Sequence, residues 1–183
     1  MENFEFTPVQ TTPFSLSTKI KIRLWNFINC TFFRWSPFFA RKYRVWLTRC
    51  FGSKIDYTCS LDNQCKIVAP WLLTMGAYSS LGEGSLVKCR AEIKIGSRTC
   101  IGKDVIMMSG SHNINSLHFE FITKPITIGD NVWVATRSMI QAGVTIGDWA
   151  VIGAMSLVTK DVESWSIVGG IPAKFIKKRI IKD

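Results

Sequence analysis

At 183 residues, 47% of them hydrophobic, the chain has room for one domain with a substantial core, and it is too apolar to be wholly disordered. Its formal charge of +10 sits at the ends: residues 1–56 hold nine Lys/Arg against three Asp/Glu, residues 174–183 five against one, and residues 57–173 nine against nine. Nucleic-acid binders carry a basic stripe over the folded body, so the neutral body excludes that class.

The first 56 residues read as a basic, aromatic, helical segment. Only ten uncharged residues separate Arg23 from Arg34, too few to cross a hydrocarbon core of about 30 Å. On a helical wheel Leu16, Ile20, Leu24, Phe27 and Ile28 fall on one side and Lys19, Arg23 and Asn26 on the other, with Lys21 and Phe33 against the pattern. Ser15 or Ser17 is the candidate cap. Further on, Trp35, Phe38, Phe39 and Trp46 mix with Arg34, Arg41, Lys42, Arg44 and Arg49. Two readings stay open. The segment lies on an anionic membrane surface, or it packs its aromatic face on the main domain.

Six cysteines (Cys30, Cys50, Cys59, Cys65, Cys89, Cys100) include no CxxC pair, no zinc-ligand spacing is present, and no cleavable signal peptide opens the chain. Reduced thiols in a cytoplasmic protein, with no metal, are the expectation.

From about residue 65 the pattern changes. Aliphatic residues recur every six positions at Ile128, Val134, Ile140, Ile146, Ile152 and Val158. Small or branched residues occupy the fifth positions Val132, Ser138, Val144, Ala150, Ser156 and Val162. An earlier run has Cys89, Ile95, Ile101 and Met107 first and Ile93, Thr99, Val105 and Ser111 fifth. Extended back, its phase reaches Trp71, Ala77 and Glu83, which makes the earliest units irregular. The 21 residues from Met107 to Ile128 are not a multiple of six, so a segment is inserted there. A fixed period of six is neither helical nor alternating; it marks a solenoid with one short strand and one corner per unit. Three units close a coil, which stacks Ile128 on Ile146, Val134 on Ile152 and Ile140 on Val158. The glycines of the Ile-Gly steps (Gly96, Gly102, Gly129, Gly147) are expected where φ is awkward.

The stretch from PITIGDNVWVA through VIGAMSLVTKD to IPAKFIKKR resembles the C-terminal half of the hexapeptide-repeat acetyltransferases, and APWLLTMG and SGSHN resemble their colanic-acid and exopolysaccharide branch. The likeness spans about residues 65–180. It implies an all-β fold, a left-handed parallel β-helix of hexapeptide repeats, with an N-terminal helical segment and a short basic C-terminal helix. The body would run over 57–173 with an inserted loop at about 113–125, followed by a basic tail at 174–183. It further implies a homotrimer with active sites between subunits, and acetyl-CoA as the acetyl donor.

Transfer from a thioester to a hydroxyl needs a base and a donor for the oxyanion. The chain has two histidines. The resemblance makes His112, in SGSHN, the catalytic base, and leaves His118 as a loop residue. Glu120, in the loop, is a candidate to orient His112 or meet the acceptor. No Ser or Cys nucleophile stands in a recognisable setting, so direct transfer is expected. By resemblance Trp133 lies near the thioester, Thr136 and Ala154 meet the pantetheine arm, Thr159 and Lys160 lie towards the nucleotide, and Lys174 and Lys177 face its phosphates.

Two departures bear on the acceptor. Ile171 stands where the family often has Asn before Pro172, and Gly82 and Arg90 stand where galactoside acetyltransferases place Asn and Asp. Lys88, Cys89 and Arg90 are then candidates for a pocket that takes a charged or lipid-linked sugar. The leading expectation is O-acetylation of a sugar in surface-polysaccharide biosynthesis, at the cytoplasm or the inner face of the inner membrane. A small free sugar or antibiotic is the alternative acceptor. A γ-carbonic-anhydrase-type site needs three histidines, and a non-catalytic scaffold would not need SGSH.

Overall fold

In the computed structural model, which describes residues 15–182, the hexads wind into a parallel β-solenoid of five coils and part of a sixth. The first coil holds β1 (Lys54–Ile55), β2 (Ser60–Leu61) and β3 (Lys66–Val68); the second β4 (Leu73–Met75), β5 (Ser80–Leu81) and β6 (Leu86–Lys88). The third holds β7 (Ile93–Ile95), β8 (Cys100–Ile101) and β9 (Ile106–Met108), and is followed by a hairpin of β10 (Gly110–His112) and β11 (Phe121–Thr123). The fourth holds β12 (Ile126–Ile128), β13 (Trp133–Val134) and β14 (Met139–Ile140), the fifth β15 (Thr145–Ile146), β16 (Val151–Ile152) and β17 (Leu157–Val158). Then come β18 (Ser166–Gly169) and β19 (Lys174–Lys178). The prism has three faces: β1-β4-β7-β12-β15, then β2-β5-β8-β13-β16-β18-β19, then β3-β6-β9-β14-β17.

The late hexads stack as the period requires: Ile128 on Ile146, Val134 on Ile152, Ile140 on Val158. The early phase is corrected. Trp71, Ala77 and Glu83 are not the inward column; Ile55, Leu61, Ile67, Met75, Leu81 and Val87 are. Two extra residues at the third corner, near residues 69–72 and 89–92, lengthen each early coil to 20 residues. Thus Ile55 pairs with Met75 and Met75 with Ile95, and Leu61 with Leu81 and Leu81 with Ile101. Strands therefore begin at Lys54, ahead of the visible hexads.

The Ile-Gly glycines also serve a different purpose from the one expected. The left-handed residues are two positions later, at Arg98, Asp104, Asn131 and Trp149. Gly96 itself is needed because a Cβ there would stand 2.6 Å from the carbonyl carbon of Gly129 in the next coil. Buried corner hydroxyls tie coils together: Ser79 donates to the Gly96 carbonyl (2.6 Å) and Thr99 to that of Gly129 (2.7 Å).

The N-terminal segment forms α1 (Leu16–Ile28), a wide helical turn (Asn29–Phe33) and α2 (Arg41–Cys50). The Ser15 hydroxyl caps α1 by accepting from the Thr18 amide at 3.2 Å. Asp56, Asp62 and Gly76 amides bond to carbonyls one coil up, which leaves the first coil with downward-facing carbonyls. The helical layer supplies their donors. Trp25 Nε1 donates to Ile67 (2.6 Å), the Arg44 Nε to Leu61 (2.6 Å) and an Arg49 nitrogen to Ile55 (2.5 Å), one donor for each face. Trp25 and Phe33 are fully buried, with ring centroids 6.3 Å apart. The packing reading therefore holds for this inner side, on which Arg44 and Arg49 are structural. The stripe of Leu16, Ile20, Leu24 and Phe27 is exposed, because Trp25 takes the inward direction. Among the described residues no helix is long and apolar enough to cross a membrane.

The C-terminal basic segment is a strand and not a helix. β19 pairs antiparallel with β18, Val168 opposite Phe175 and Gly169 opposite Lys174. The open edge of β18 offers partners that a lone five-residue helix would lack.

Candidate active site

His112 ends β10, where the chain leaves the third face and before it returns to the first. The hairpin register is Gly110 to Thr123, Ser111 to Ile122 and His112 to Phe121. Its foot is fixed by Ser109, fully buried, whose hydroxyl accepts from the amides of Arg90 (2.8 Å) and Ala91 (2.9 Å) and donates to the Ala91 carbonyl (2.9 Å). Its far end closes with the Asn113 amide on the Glu120 carbonyl at 2.9 Å.

The His112 Nδ1 is 2.7 Å from the carbonyl oxygen of Phe119, and the ring meets Phe121 edge-on at 5.4 Å. A carbonyl only accepts, so Nδ1 is the donor in this contact, and in the neutral ring the lone pair falls to Nε2. A neutral imidazole held in this tautomer is the form a general base needs. Phe119 sits at φ +47, in the left-handed region, and its carbonyl faces the ring. The orienting group is this backbone oxygen, not the Glu120 side chain.

On one side of the hairpin Lys88, Arg90, Met108, His112 and Phe121 line a cavity of about 230 Å³. Cys89 is corrected as a lining residue. It is 1% exposed within the core, and burial pushes its thiol up to about 12. Among the described residues no three His, Cys, Asp or Glu side chains converge as a metal site requires.

The remaining site residues lie apart. Trp133, half exposed, stands on the second face between Cys100 and Val151. Thr136 and Ala154 are exposed at the corner that follows that face, where the Met155 amide bonds the Thr136 carbonyl at 2.9 Å. Thr159 and Lys160 follow β17 at the corner that carries His112, two coils further along. Lys174 and Lys177 lie on β19, on the second face. In a triangular prism the second face is the one opposite the His112 corner. One chain thus groups His112 with Lys160, but not with Trp133. Sequence reasoning missed Ser109, Phe119 and Phe121; the alternation of Gly110 and His112 against Phe121 and Thr123 is the signal that marks their hairpin.

A hexad solenoid with an imidazole held on an outgrowing hairpin beside a cleft defines the class, a repeat protein with its candidate site at one corner. Residues 125–160 match the family model described as bacterial transferase hexapeptide (six repeats). Over 161 residues, 88% of each chain, the protein is 37% identical to the Escherichia coli (strain K12) protein WcaF, named for acetyl transfer in colanic acid biosynthesis. Over 89 residues, 47% of this chain and 44% of the other, it is 37% identical to galactoside O-acetyltransferase of the same organism. The hexapeptide-repeat acetyltransferase of Vibrio cholerae O1 biovar eltor, solved with acetyl coenzyme A, superposes with a TM-score of 0.83 over 94% of both chains at 24% identity, which shows the fold alone. The chain belongs to the hexapeptide-repeat acetyltransferases.

Proposed function

We propose that the protein transfers acetyl from acetyl-CoA to a sugar hydroxyl during surface-polysaccharide biosynthesis, with His112 as the base. The observation that carries this is the 2.7 Å contact between the His112 Nδ1 and the Phe119 carbonyl, which engages Nδ1 as donor and leaves Nε2 to take the acceptor's proton. The hydroxyl oxygen attacks the thioester carbonyl as its proton passes to Nε2. Collapse of the tetrahedral intermediate expels the coenzyme A thiolate, which recovers that proton. The family likeness supports acetyl-CoA as donor, and the 88% coverage of a colanic acid relative supports the acceptor class. Lys88 and Arg90 beside His112 suit an acceptor that carries negative charge.

The working unit in this reading is a homotrimer. A neighbour that sets its second face against the His112 corner would bring Trp133 and the β19 lysines to that histidine. Above Lys66 of the first coil, the outward column Leu86, Ile106, Met139 and Leu157 on the third face is apolar and suits such an interface. The Lys54, Thr74, Lys94, Thr127 and Thr145 column of the first face suits water. The site of action is the cytoplasm, at the inner leaflet where lipid-linked precursors are held. Thiol release from acetyl-CoA, measured with free sugars, chloramphenicol and lipid-linked glycans in parallel, tests the acceptor. Release only with the antibiotic would sink the reading.

A further inference from the structure

Among the described residues, the outer side of the N-terminal helical layer has no partner. With Trp25 as the inward direction, 3.6 residues per turn put Leu16, Arg23 and Phe27 within about 20° of the opposite, outward direction and Ile20 within about 40°. The exposures agree: Leu16 75%, Ile20 59%, Phe27 60%. The turn beyond α1 adds Phe32 at 59%, Trp35 at 83%, Phe38 at 78% and Phe39 at 74%. Such a run of exposed large apolar side chains marks a contact surface and not ordinary solvent-facing protein. Exposed Lys19, Arg23, Arg34, Arg41 and Lys42 are interleaved with them, and residues 15–55 contain no Asp or Glu. Arg44 and Arg49 are excluded from this set because the solenoid's carbonyls hold them.

We infer that this outer side is a docking surface for an anionic lipid leaflet. Aromatic and aliphatic side chains set among cations, with no anion present, match the headgroup boundary. The same composition disfavours a second copy of the chain, since an isologous contact would set Arg23 and Lys19 against like charge. α1 runs across the end of the prism, from Lys21 over the Trp71 ring to Asn29 on the Cys65 carbonyl. The leaflet therefore lies beneath the first coil. One helix diameter of about 10 Å and two coil steps of about 4.8 Å put His112 about 20 Å out. Where this rests on the proposed function, it confines the acceptor to glycans whose reacting hydroxyl stands at that height above the same leaflet.

The test sediments the full chain with phosphatidylcholine vesicles and with vesicles that also contain phosphatidylglycerol. Binding is expected to the anionic vesicles and to fall as salt screens it. Each cation near such a surface is worth about fivefold in partition, so Lys19→Glu with Arg23→Glu should lower binding about twentyfold or more. Ile20→Ser with Phe27→Ser should lower it about tenfold or more. Both pairs should keep the thermal unfolding midpoint and, with a free acceptor, the rate of thiol release. A full chain that ignores anionic vesicles at low salt, or variants that bind like the parent, overturns the inference. So does a fall in particle mass for Ile20→Ser/Phe27→Ser, which gives the surface to a second copy. Absent thiol release with normal vesicle binding would refute the enzymatic reading and leave the docking intact.

Discussion

His112 takes its orientation from Phe119, whose carbonyl oxygen lies 2.7 Å from the ring Nδ1 across the mouth of the hairpin. His112→Ala should lower turnover 10²–10⁴-fold, roughly the loss typical of a general base, while acetyl-CoA affinity holds. Phe119→Ile tests the orienting contact, because a β-branched residue resists φ +47 and would turn the carbonyl away. Turnover should fall with KM unchanged, and Phe119→Gly should retain it. Equal activity of the Ile and Gly variants would dismiss the carbonyl's role.

Gly110 has little room. A Cβ there would lie 2.6 Å from the Phe121 Cζ and 2.9 Å from the Arg90 Cγ. Gly110→Ala must push the ring that meets His112 edge-on, so turnover should drop at least tenfold while the melting temperature moves little. Steady-state kinetics beside calorimetry checks both halves.

Met139 pairs with Ile106 below and Leu157 above on the outward side of the third face. Met139→Glu tests the proposed trimer: particle mass and activity should fall together. Light scattering that found an active monomer would dissociate the two.

Arg44 is 2% exposed, and its guanidinium reaches the carbonyls of Leu61, Pro37 and Phe38 and the Ser36 hydroxyl. Arg44→Met leaves those acceptors unmatched at about 1–3 kcal/mol for each that stays dry. Urea titration should show a loss of about 3 kcal/mol or more, and refilling by water would show as a smaller one.

Burial raises the thiols of Cys65 and Cys89 from 9.0 to about 12, and raises Cys59 as well. Between 9 and 12 the unfolded chain gives up those protons while the folded chain keeps them, so stability should fall as pH rises through that window. At neutral pH, Cys30, Cys50 and Cys100, all exposed, should react with a thiol reagent and the other three only after denaturation. A count of six in the folded protein would contradict the burial.

The late coils were legible because an unbroken period of six leaves a single way to stack Ile128 on Ile146. The early ones were not, since two added residues at one corner shift the phase without changing residue type; the repeat of 20 from Ile55 to Met75 to Ile95 is the signal to seek. The α1 stripe was visible, but amphipathic pattern alone does not say which side faces in, and a single tryptophan decided it. KFIKK has a helical composition and became a strand because β18 had an open edge. The SGSHN motif singles out His112 as the candidate base. The carbonyl that its ring meets was not legible, since a backbone oxygen has no residue signature.

The donors set under the first coil have a consequence for growth. A parallel solenoid is a stack whose end can template another like it, and naked ends invite filaments. Here Trp25, Arg44 and Arg49 occupy the carbonyls at one end, and at the other β19 covers β18 with an outer edge that carries Lys174, Lys177 and Lys178. Each prism is therefore finite in length, and association is left to its sides, where a cleft between two copies can form.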